Sequence, residues 1–394
     1  MTTKNICLSI LTYSLVNIIG VTFAHADSTI QTPQGYIEIL SQLSRDSDVR
    51  VRTNVAQNKY ISTAIAEKLV KDNQTVRFAL AQNKNIPSTI ADTLASDPDE
   101  DVQFRALFNP NISEATFKKY MGSKNDLLRS ALASNPSAEP AFLQKLLNDK
   151  DNDVRRDAIA NPHFPIEMLY KLDQNNRSTQ EIISHKENIP LDLLTLYSKS
   201  KDESIRKNIA ENPNTPTAII DQLATDKAQG VRESALCHPN ISSQVLEKAA
   251  LSSSFQYCMA SHPKLSIQVQ KKLMHSDDIG IHSALAENKN ANNQVLEYLL
   301  KNNPIMPTTK ALSNSNINPE NLTYFLKSDD FSYRSSIAEN TKTPVQLLTI
   351  LAKDSEPVVI QAVARNPATP VNILKELSTS KDIGTRMSVA SWGQ

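Results

Sequence analysis

Four residues that can bind metal or form covalent bonds lie close together in the second half of the chain. They are Cys237, His238, Cys258 and His262, followed by His275 and His282. Cys258 and His262 are four residues apart, a spacing that on a helix lets two side chains share a zinc ion. The two cysteines can instead form a disulfide, or they can remain as free thiols.

The spacing of these residues leaves all three chemistries open. His238 and His262 stand at a position of an internal repeat that Asn usually holds, so zinc is not needed to explain them. Neighbouring helix axes lie about 8–10 Å apart, whereas the Cα atoms of a disulfide lie about 4.4–6.8 Å apart. We therefore predict no metal site and favour two free thiols, with a disulfide between Cys237 and Cys258 as the alternative.

Eight arginines share one position of the same repeat, six residues before the usual Asn. They are Arg52, Arg77, Arg129, Arg155, Arg206, Arg232, Arg334 and Arg386. Equal positions of successive repeats stack, so these arginines form a ladder that could bind carboxylates or phosphates of a partner. Acidic residues such as Asp72, Asp149 and Asp202 recur with the same period, however. We therefore favour ion pairs within the protein over a binding ladder.

No catalytic machinery can be assembled from the remaining motifs. The sequence has no GxGxxG, GxxxxGK[ST] or GxSxG string, and only 7 of its 394 residues are glycine. Phosphate-binding loops and tight β-hairpins need glycine where φ is positive or the backbone approaches a ligand. The 42 basic and 42 acidic residues balance, so no net positive field attracts nucleic acid. We predict a protein without catalytic residues or a cofactor.

An internal repeat of about 26 residues positions all of these side chains. Its most constant residue, here called the anchor, is usually Asn. It recurs at Thr32, Asn58, Asn83, Asn109, Asn135, Asn161, Lys186, Asn212, His238, His262, Asn288, Asn314, Asn340, Asn366 and Trp392. The residue eleven positions after the anchor is hydrophobic in every repeat, from Leu43 to Leu377. Regular repeats of this length form solenoids, in which each unit buries its apolar side against its neighbours.

Two short helices and two turns make up each unit. Apolar residues before and after the anchor recur at spacings of three and four, which gives each helix one apolar stripe. Most of the 20 prolines lie one, four or five positions after the anchor, where they end the first helix and begin the second. We predict helix caps from the Thr of Thr343-Pro344, from Ser62 at the same turn, and from Asp72 at the other turn.

The repeat pattern begins and ends inside a unit. After the signal segment the mature protein opens with Pro33 and a second helix carrying Ile39, Leu40 and Leu43, and it finishes with a first helix that runs to Trp392. We predict an open array in which these terminal helices do not meet. The units near residues 175–186, 252–262 and 304–307 depart most from the pattern, either by drift or because the array bends there.

The first 26 residues have the pattern of a secretory signal peptide. Lys4 precedes an uncharged, mostly apolar stretch from Ile6 to Phe23, and Ala24-His25-Ala26 is a typical cleavage site. We predict cleavage after Ala26, a periplasmic or secreted location, and one solenoid domain over residues 27–394. The alternative is an uncleaved membrane anchor, which the polar residues within the stretch disfavour.

The pattern resembles the leucine-rich repeat variant family. The family's string D-x-x-V-R-x-x-[IVL]-A-x-N-P-x-T-P-x-x-x-[IL]-x-x-L is nearly complete from Asp202 to Leu223. The resemblance covers residues 33–392 and implies an all-α, right-handed superhelix of about 14 two-helix units, similar to armadillo and HEAT arrays. Some members of the family carry an iron–sulfur centre on an N-terminal cysteine cluster. This sequence lacks that cluster, so we do not expect the cofactor.

These expectations combine into one functional hypothesis. The protein is expected to be an exported, non-enzymatic helical scaffold whose long surface binds a protein or peptide partner. The alternative from another class is a metal-binding sensor or envelope enzyme centred on residues 237–282. A structural spacer without any ligand is a third, weaker alternative. The partner, the binding face and the oligomeric state are left open by the sequence.

Overall fold

A computed structural model describes residues 33–251, 256–303 and 305–394 of the chain. The predicted signal peptide, residues 1–26 with cleavage after Ala26, lies outside the described residues. The described part forms 28 helices and contains no strand, which confirms the all-α solenoid of about 14 two-helix units. It belongs to one compact unit. Within it, no helix is both long enough and apolar enough to cross a bilayer.

The odd-numbered helices are the second helices of the predicted units. They are α1 (Pro33–Leu43), α3 (Thr63–Leu69), α5 (Ser88–Leu94), α7 (Glu114–Met121), α9 (Pro140–Leu146), α11 (Ile166–Leu169), α13 (Leu191–Tyr197), α15 (Thr217–Leu223), α17 (Ser243–Ala250), α19 (Ile267–Leu273), α21 (Asn293–Asn302), α23 (Pro319–Phe325), α25 (Val345–Leu351) and α27 (Val371–Leu377).

The even-numbered helices are the first helices of the units. They are α2 (Val49–Gln57), α4 (Gln74–Gln82), α6 (Glu100–Leu107), α8 (Asp126–Ala133), α10 (Asn152–Ala160), α12 (Arg177–Ser184), α14 (Glu203–Glu211), α16 (Gln229–Leu236), α18 (Gln256–Ala260), α20 (Ile279–Glu287), α22 (Ile305–Ser313), α24 (Phe331–Glu339), α26 (Pro357–Arg365) and α28 (Ile383–Ala390).

The helix caps agree with the sequence only in part. Ser62 accepts a hydrogen bond from the backbone N–H of Ile65 at the start of α3, as predicted. The Thr343 hydroxyl is not a cap, because it donates to the carbonyl of Ile337 in the preceding helix, and Pro344 occupies the N-cap position. Most even helices are capped one or two residues later than predicted, as by Asn73 in α4 and by Asp48 in α2. Residues such as Asp72 form ion pairs instead.

Side-chain size explains why the array curves. Nearly every even helix contacts the next even helix, whereas the odd helices mainly contact the even helices beside them. The residue two positions before the anchor is usually a fully buried Ala, as at Ala56, Ala81 and Ala364. Small residues let the even helices approach closely, while the buried leucines of the odd helices hold that layer apart. The even helices therefore line the inner side of the curve.

The curve closes into a ring, which corrects the predicted open array. Helix α28 contacts α2, and α27 contacts α1. The Tyr36 hydroxyl, fully buried in α1, donates to the carbonyl of Val389 in α28 at 2.6 Å. Arg386 pairs with Asp46 at 2.7 Å. The last first helix and the first second helix thus form one complete unit, the fourteenth.

Candidate functional site

A continuous belt of buried anchor side chains connects the units of the ring. Each anchor donates a side-chain N–H to the carbonyl of the preceding anchor, and most also donate to the carbonyl two residues before it. Asn109 is typical, with bonds to Asn83 at 2.9 Å and to Ala81 at 2.8 Å. The Asn109 side-chain oxygen accepts from the backbone N–H of Asn111 at 2.9 Å. All donors of the anchor are therefore used, and the Asn position serves both its own turn and the neighbouring unit.

The belt has the same register across the closure as elsewhere. Asn58 donates to Trp392 at 3.1 Å and to Ala390 at 2.8 Å, which are the preceding anchor and the residue two before it. Trp392, the single Trp of the chain, occupies the last anchor position and donates its indole N–H to Asn366 at 2.9 Å. The ends of the chain therefore join as two ordinary neighbouring units would.

An aromatic cluster fills the closing unit. The Tyr36 and Trp392 ring centroids are 4.8 Å apart, and the Tyr60 ring stacks on Trp392 at 6.0 Å. Gly393 follows with a φ of 78°, a conformation that L side chains rarely adopt, and a Cβ there would lie 2.7 Å from the Tyr60 ring. Burial raises the pKa of Tyr36. Sequence reasoning missed this cluster, although Trp at an Asn position was the signal for it.

His238 and His262, the two candidate zinc ligands among the histidines, are members of the belt. The Nε2 of His238 donates to Asn212 at 2.9 Å, and its Nδ1 accepts from the Asn240 backbone N–H at 3.0 Å. His262 makes the equivalent bonds to His238 and Lys264. Each imidazole thus takes the place of both the side-chain nitrogen and the side-chain oxygen of Asn. Burial lowers the pKa of both histidines, which favours the neutral form that this bonding requires.

Cys237 and Cys258 are joined by a disulfide. Their Cα atoms are 5.6 Å apart. The distance between neighbouring helix axes, which favours free thiols, applies to cysteines at mid-helix. Cys237 is the C-cap residue of α16, and a helix end can approach a neighbour more closely than its axis does. No group of three or more metal-ligating side chains lies together in the described residues. His275 contacts Tyr298, and His282 bonds Asn303, so the six residues do not converge on one point.

The arginine ladder is engaged inside the protein. Six of the eight guanidinium groups bond both oxygens of an Asp in the neighbouring unit. In five of these pairs the Asp lies twenty residues later, as for Arg206 with Asp226 at 2.7 and 2.9 Å, and the sixth pair crosses the closure. The same Arg206 donates to the carbonyl of Ser200 in the turn before its own helix. The other five such pairs are Arg52–Asp72, Arg77–Asp97, Arg129–Asp149, Arg334–Asp354 and Arg386–Asp46. Each arginine therefore ties two consecutive turns together.

The remaining two arginines of the ladder have other partners. Arg155 donates to the Asp149 carbonyl and bonds Asn152, because its twenty-residue partner is Asn175 rather than Asp. Arg232 donates to the carbonyls of Asp226 and Lys227. The Arg side chains hold the pKa values of their aspartates below the usual range, as for Asp72, Asp149 and Asp226. This arrangement leaves few guanidinium N–H groups of the ladder for a partner to bind.

Lys186 is the one cation in the belt. Its ammonium group donates to Ile159 at 2.8 Å and Asn161 at 2.5 Å, and its side chain faces the Phe164 ring. Burial lowers its pKa to about 8. An amine that gives up its proton this easily can be a catalytic base, but here the group is 3% exposed and bonded to backbone. It therefore replaces Asn as a donor.

The concave surfaces on the described part of the chain are shallow and are lined by few reactive side chains. One of about 560 Å³ lies across the closure, lined by Ser41, Gln42, Leu43, Arg45, Asp46 and Ser378. Another of about 360 Å³ lies between turns near Asn318 and Asn340. Neither brings together a nucleophile, a base and a group to orient them.

Comparisons with known proteins find similarity to solved structures at low sequence identity. No family model and no curated protein matches it. One similar solved structure is a leucine-rich repeat variant "with a novel repetitive protein structural motif", the family that the sequence resembles. It is 16% identical, with 56% of this chain and 88% of that chain covered and a TM-score of 0.32.

Two further solved structures are similar over more of the chain. Importin beta is 12% identical, covering 91% of this chain and 59% of that one, with a TM-score of 0.21. An engineered protein is 14% identical, covering 76% of this chain and 95% of that one, with a TM-score of 0.11. At these identities and TM-scores, the architecture rests on the helices and contacts of the chain itself.

Proposed function

We propose that the protein is an exported, non-enzymatic ring scaffold that binds a protein or peptide partner. The observation that carries this proposal is the closed belt. The recurring polar side chains, which would have to supply any repeated chemistry, are bonded to backbone or to each other. What a ring of stacked units offers a partner is a long, preformed surface. Such surfaces bind without a large ordering cost because the units are already fixed.

Export is supported by two independent features. The signal-like segment with its cleavage site after Ala26 is one. The disulfide between Cys237 and Cys258 is the other, since disulfides persist mainly in oxidising compartments. We infer that the mature chain begins at Asp27 and is located in a periplasm or outside the cell.

The competing metal sensor or envelope enzyme centred on residues 237–282 has less support. A disulfide sulfur is a poor zinc ligand compared with a thiolate. Both ring nitrogens of His238 and of His262 are already bonded to backbone. A metal would have to displace belt hydrogen bonds from the interior of the ring.

Two measurements test the proposal. The protein is purified from the exported fraction and its N-terminus is sequenced; we expect Asp27. Absence from that fraction would contradict export, and a chain that retains residue 1 would contradict cleavage after Ala26. Separately, the tagged ring is cross-linked in the exported fraction, and the captured protein is purified and titrated against the ring. Saturable binding is expected. A tag secreted with the same signal segment but no ring is the control, and failure to bind any protein saturably would contradict the scaffold function.

A further inference from the structure

The first residue of each even helix forms a row along one rim of the ring. Because the even helices all run in the same direction, their first residues lie on the same side, here called the amino-terminal rim. In α20, α22 and α24 this residue is apolar and about half exposed: Ile279 at 50%, Ile305 at 50% and Phe331 at 45%. Ile383 holds the position in α28 and is partly buried against the core.

Neighbouring side chains add further exposed apolar groups to this row. Met306 follows Ile305 and is 62% exposed, and Val358 in α26 is 39% exposed. We call these six residues, Ile279, Ile305, Met306, Phe331, Val358 and Ile383, the apolar arc. The arc runs over five consecutive even helices, from α20 to α28.

The other side of the ring shows that folding does not require apolar residues here. At the same position α4 to α16 carry polar residues: Gln74, Glu100, Asp126, Asn152, Arg177, Glu203 and Gln229. A helix gains stability from an acidic first turn, through its dipole, and gains nothing from an exposed Ile or Phe there. Contiguous exposed apolar surface on a soluble domain marks a contact site. The arc is therefore not explained by the needs of the repeat.

Carboxylates stand beside the apolar side chains of the arc. The residue before Ile279 is Asp278, the residue before Phe331 is Asp330, and the residue before Ile383 is Asp382. Glu356 has the equivalent place in front of α26. Asp278, Asp330 and Asp382 cap their helices by accepting backbone N–H hydrogen bonds, and Glu356 makes no side-chain cap bond. Alternating apolar and anionic groups complement a partner that presents apolar side chains between cations.

We propose, as an extension of the scaffold function above, that the apolar arc binds a protein segment carrying apolar side chains flanked by Lys or Arg. The apolar side chains of the segment cover the arc, and its cations lie against the cap carboxylates. A second copy of the ring is a poorer occupant. Two identical rims meeting face to face would bring like carboxylates together.

The test uses the whole ring and a defined probe. Random peptides of about twelve residues, displayed on phage, are selected on the ring, and an enriched peptide is synthesised for fluorescence anisotropy. We expect enriched peptides to combine apolar residues with Lys or Arg. Their binding should weaken between about 50 and about 300 mM salt, because exposed charges are screened.

Two triple variants distinguish binding at the apolar arc from nonspecific binding to exposed apolar side chains. The arc variant is Ile279→Ser, Met306→Ser and Phe331→Ser. The matched control is Leu191→Ser, Leu196→Ser and Ile350→Ser, which removes similarly exposed side chains from odd helices. Both variants should melt like the wild type. We expect the dissociation constant to rise at least about tenfold in the arc variant and to stay unchanged in the control.

The possible failures are distinguishable. If the arc variant binds the peptide as tightly as the wild type does, the proposed role of the arc is wrong and the scaffold function is unaffected. The same holds if the enriched peptides lack Lys and Arg. A wild-type ring that dimerises in sedimentation, with a monomeric arc variant, would replace the peptide segment by a second copy. If the wild type enriches no peptide and captures no partner on cross-linking, both proposals fail.

Discussion

Asn at the anchor position couples neighbouring units through two carbonyls, and this coupling is a property of single residues. Asn109 is 3% exposed and donates to Ala81 and Asn83. Replacing it with Ala removes both donors and leaves a small void. We expect Asn109→Ala to lower the free energy of unfolding by about 1–3 kcal/mol, measured by urea titration.

A matched control for Asn109→Ala is Asn148→Ala. Asn148 is exposed and lies in a turn outside the belt, so its loss should change stability by less than about 0.5 kcal/mol. Equal effects of the two substitutions would mean that the belt contributes nothing beyond an ordinary surface amide.

Two histidines make the belt sensitive to acid. Burial holds the pKa values of His238 and His262 below the usual range, so the unfolded chain binds protons more readily than the ring does. Stability should therefore fall as the pH drops below about 6.5, the ordinary value for His. We expect the urea midpoint to fall between about pH 7.5 and pH 5.5.

Restoring the usual anchor tests this assignment. The double variant His238→Asn and His262→Asn keeps the belt hydrogen bonds but has no titrating group in this pH range. Its urea midpoint should fall less than that of the wild type over the same interval. A fall as large as the wild type's would show that other groups titrate.

At the scale of the helix, the leucine column between units supplies the packing. Leu299 in α21 is fully buried, whereas Leu196 in α13 is 54% exposed. We expect Leu299→Ala to cost about 2–5 kcal/mol and Leu196→Ala less than about 1 kcal/mol. Thermal or urea unfolding of the two variants measures the difference, and similar costs would mean that the repeat phase is misplaced.

The helices were predictable because the same helical pattern recurs in every repeat of the sequence. The hydrophobic spacings, the prolines and the Asn anchors together predict the 14 helix pairs and the leucines that face the interior. The caps were less predictable. Thr343 can bond either the helix that follows it or the one before, and only packing decides that it donates to Ile337. The pairing of Arg206 with Asp226 follows from shared periodicity, which the sequence does contain.

At the scale of the whole molecule, the ring was not predicted. Closure of 14 units needs a rotation of about 26° per unit, and a small change in this angle would leave an open coil. Such an angle depends on packing between layers, which residue types do not report directly. Trp392, at a position that Asn usually holds, was the sign of the closing junction in the sequence.

The ion pair across the closure should be energetically coupled. Asp46 and Arg386 are 10% and 15% exposed and bond through both oxygens. We expect Asp46→Arg and Arg386→Asp each to destabilise the ring, and the swapped double variant to recover at least about 1 kcal/mol of the summed loss. Purely additive effects in urea unfolding would indicate that the two residues do not meet.

Disulfide trapping across the closure tests the ring most directly. A Cβ at Gly35 in α1 would lie 3.1 Å from the Val371 side chain in α27. Because the two residues are so far apart in sequence, only a closed ring brings them together. We predict that Gly35→Cys with Val371→Cys forms an intramolecular disulfide under mild oxidation, seen by mass spectrometry of peptides. The pair Gly35→Cys with Val345→Cys, one unit earlier, should not form it. Failure of the first pair to cross-link, in a variant that is otherwise folded, would contradict the closed ring.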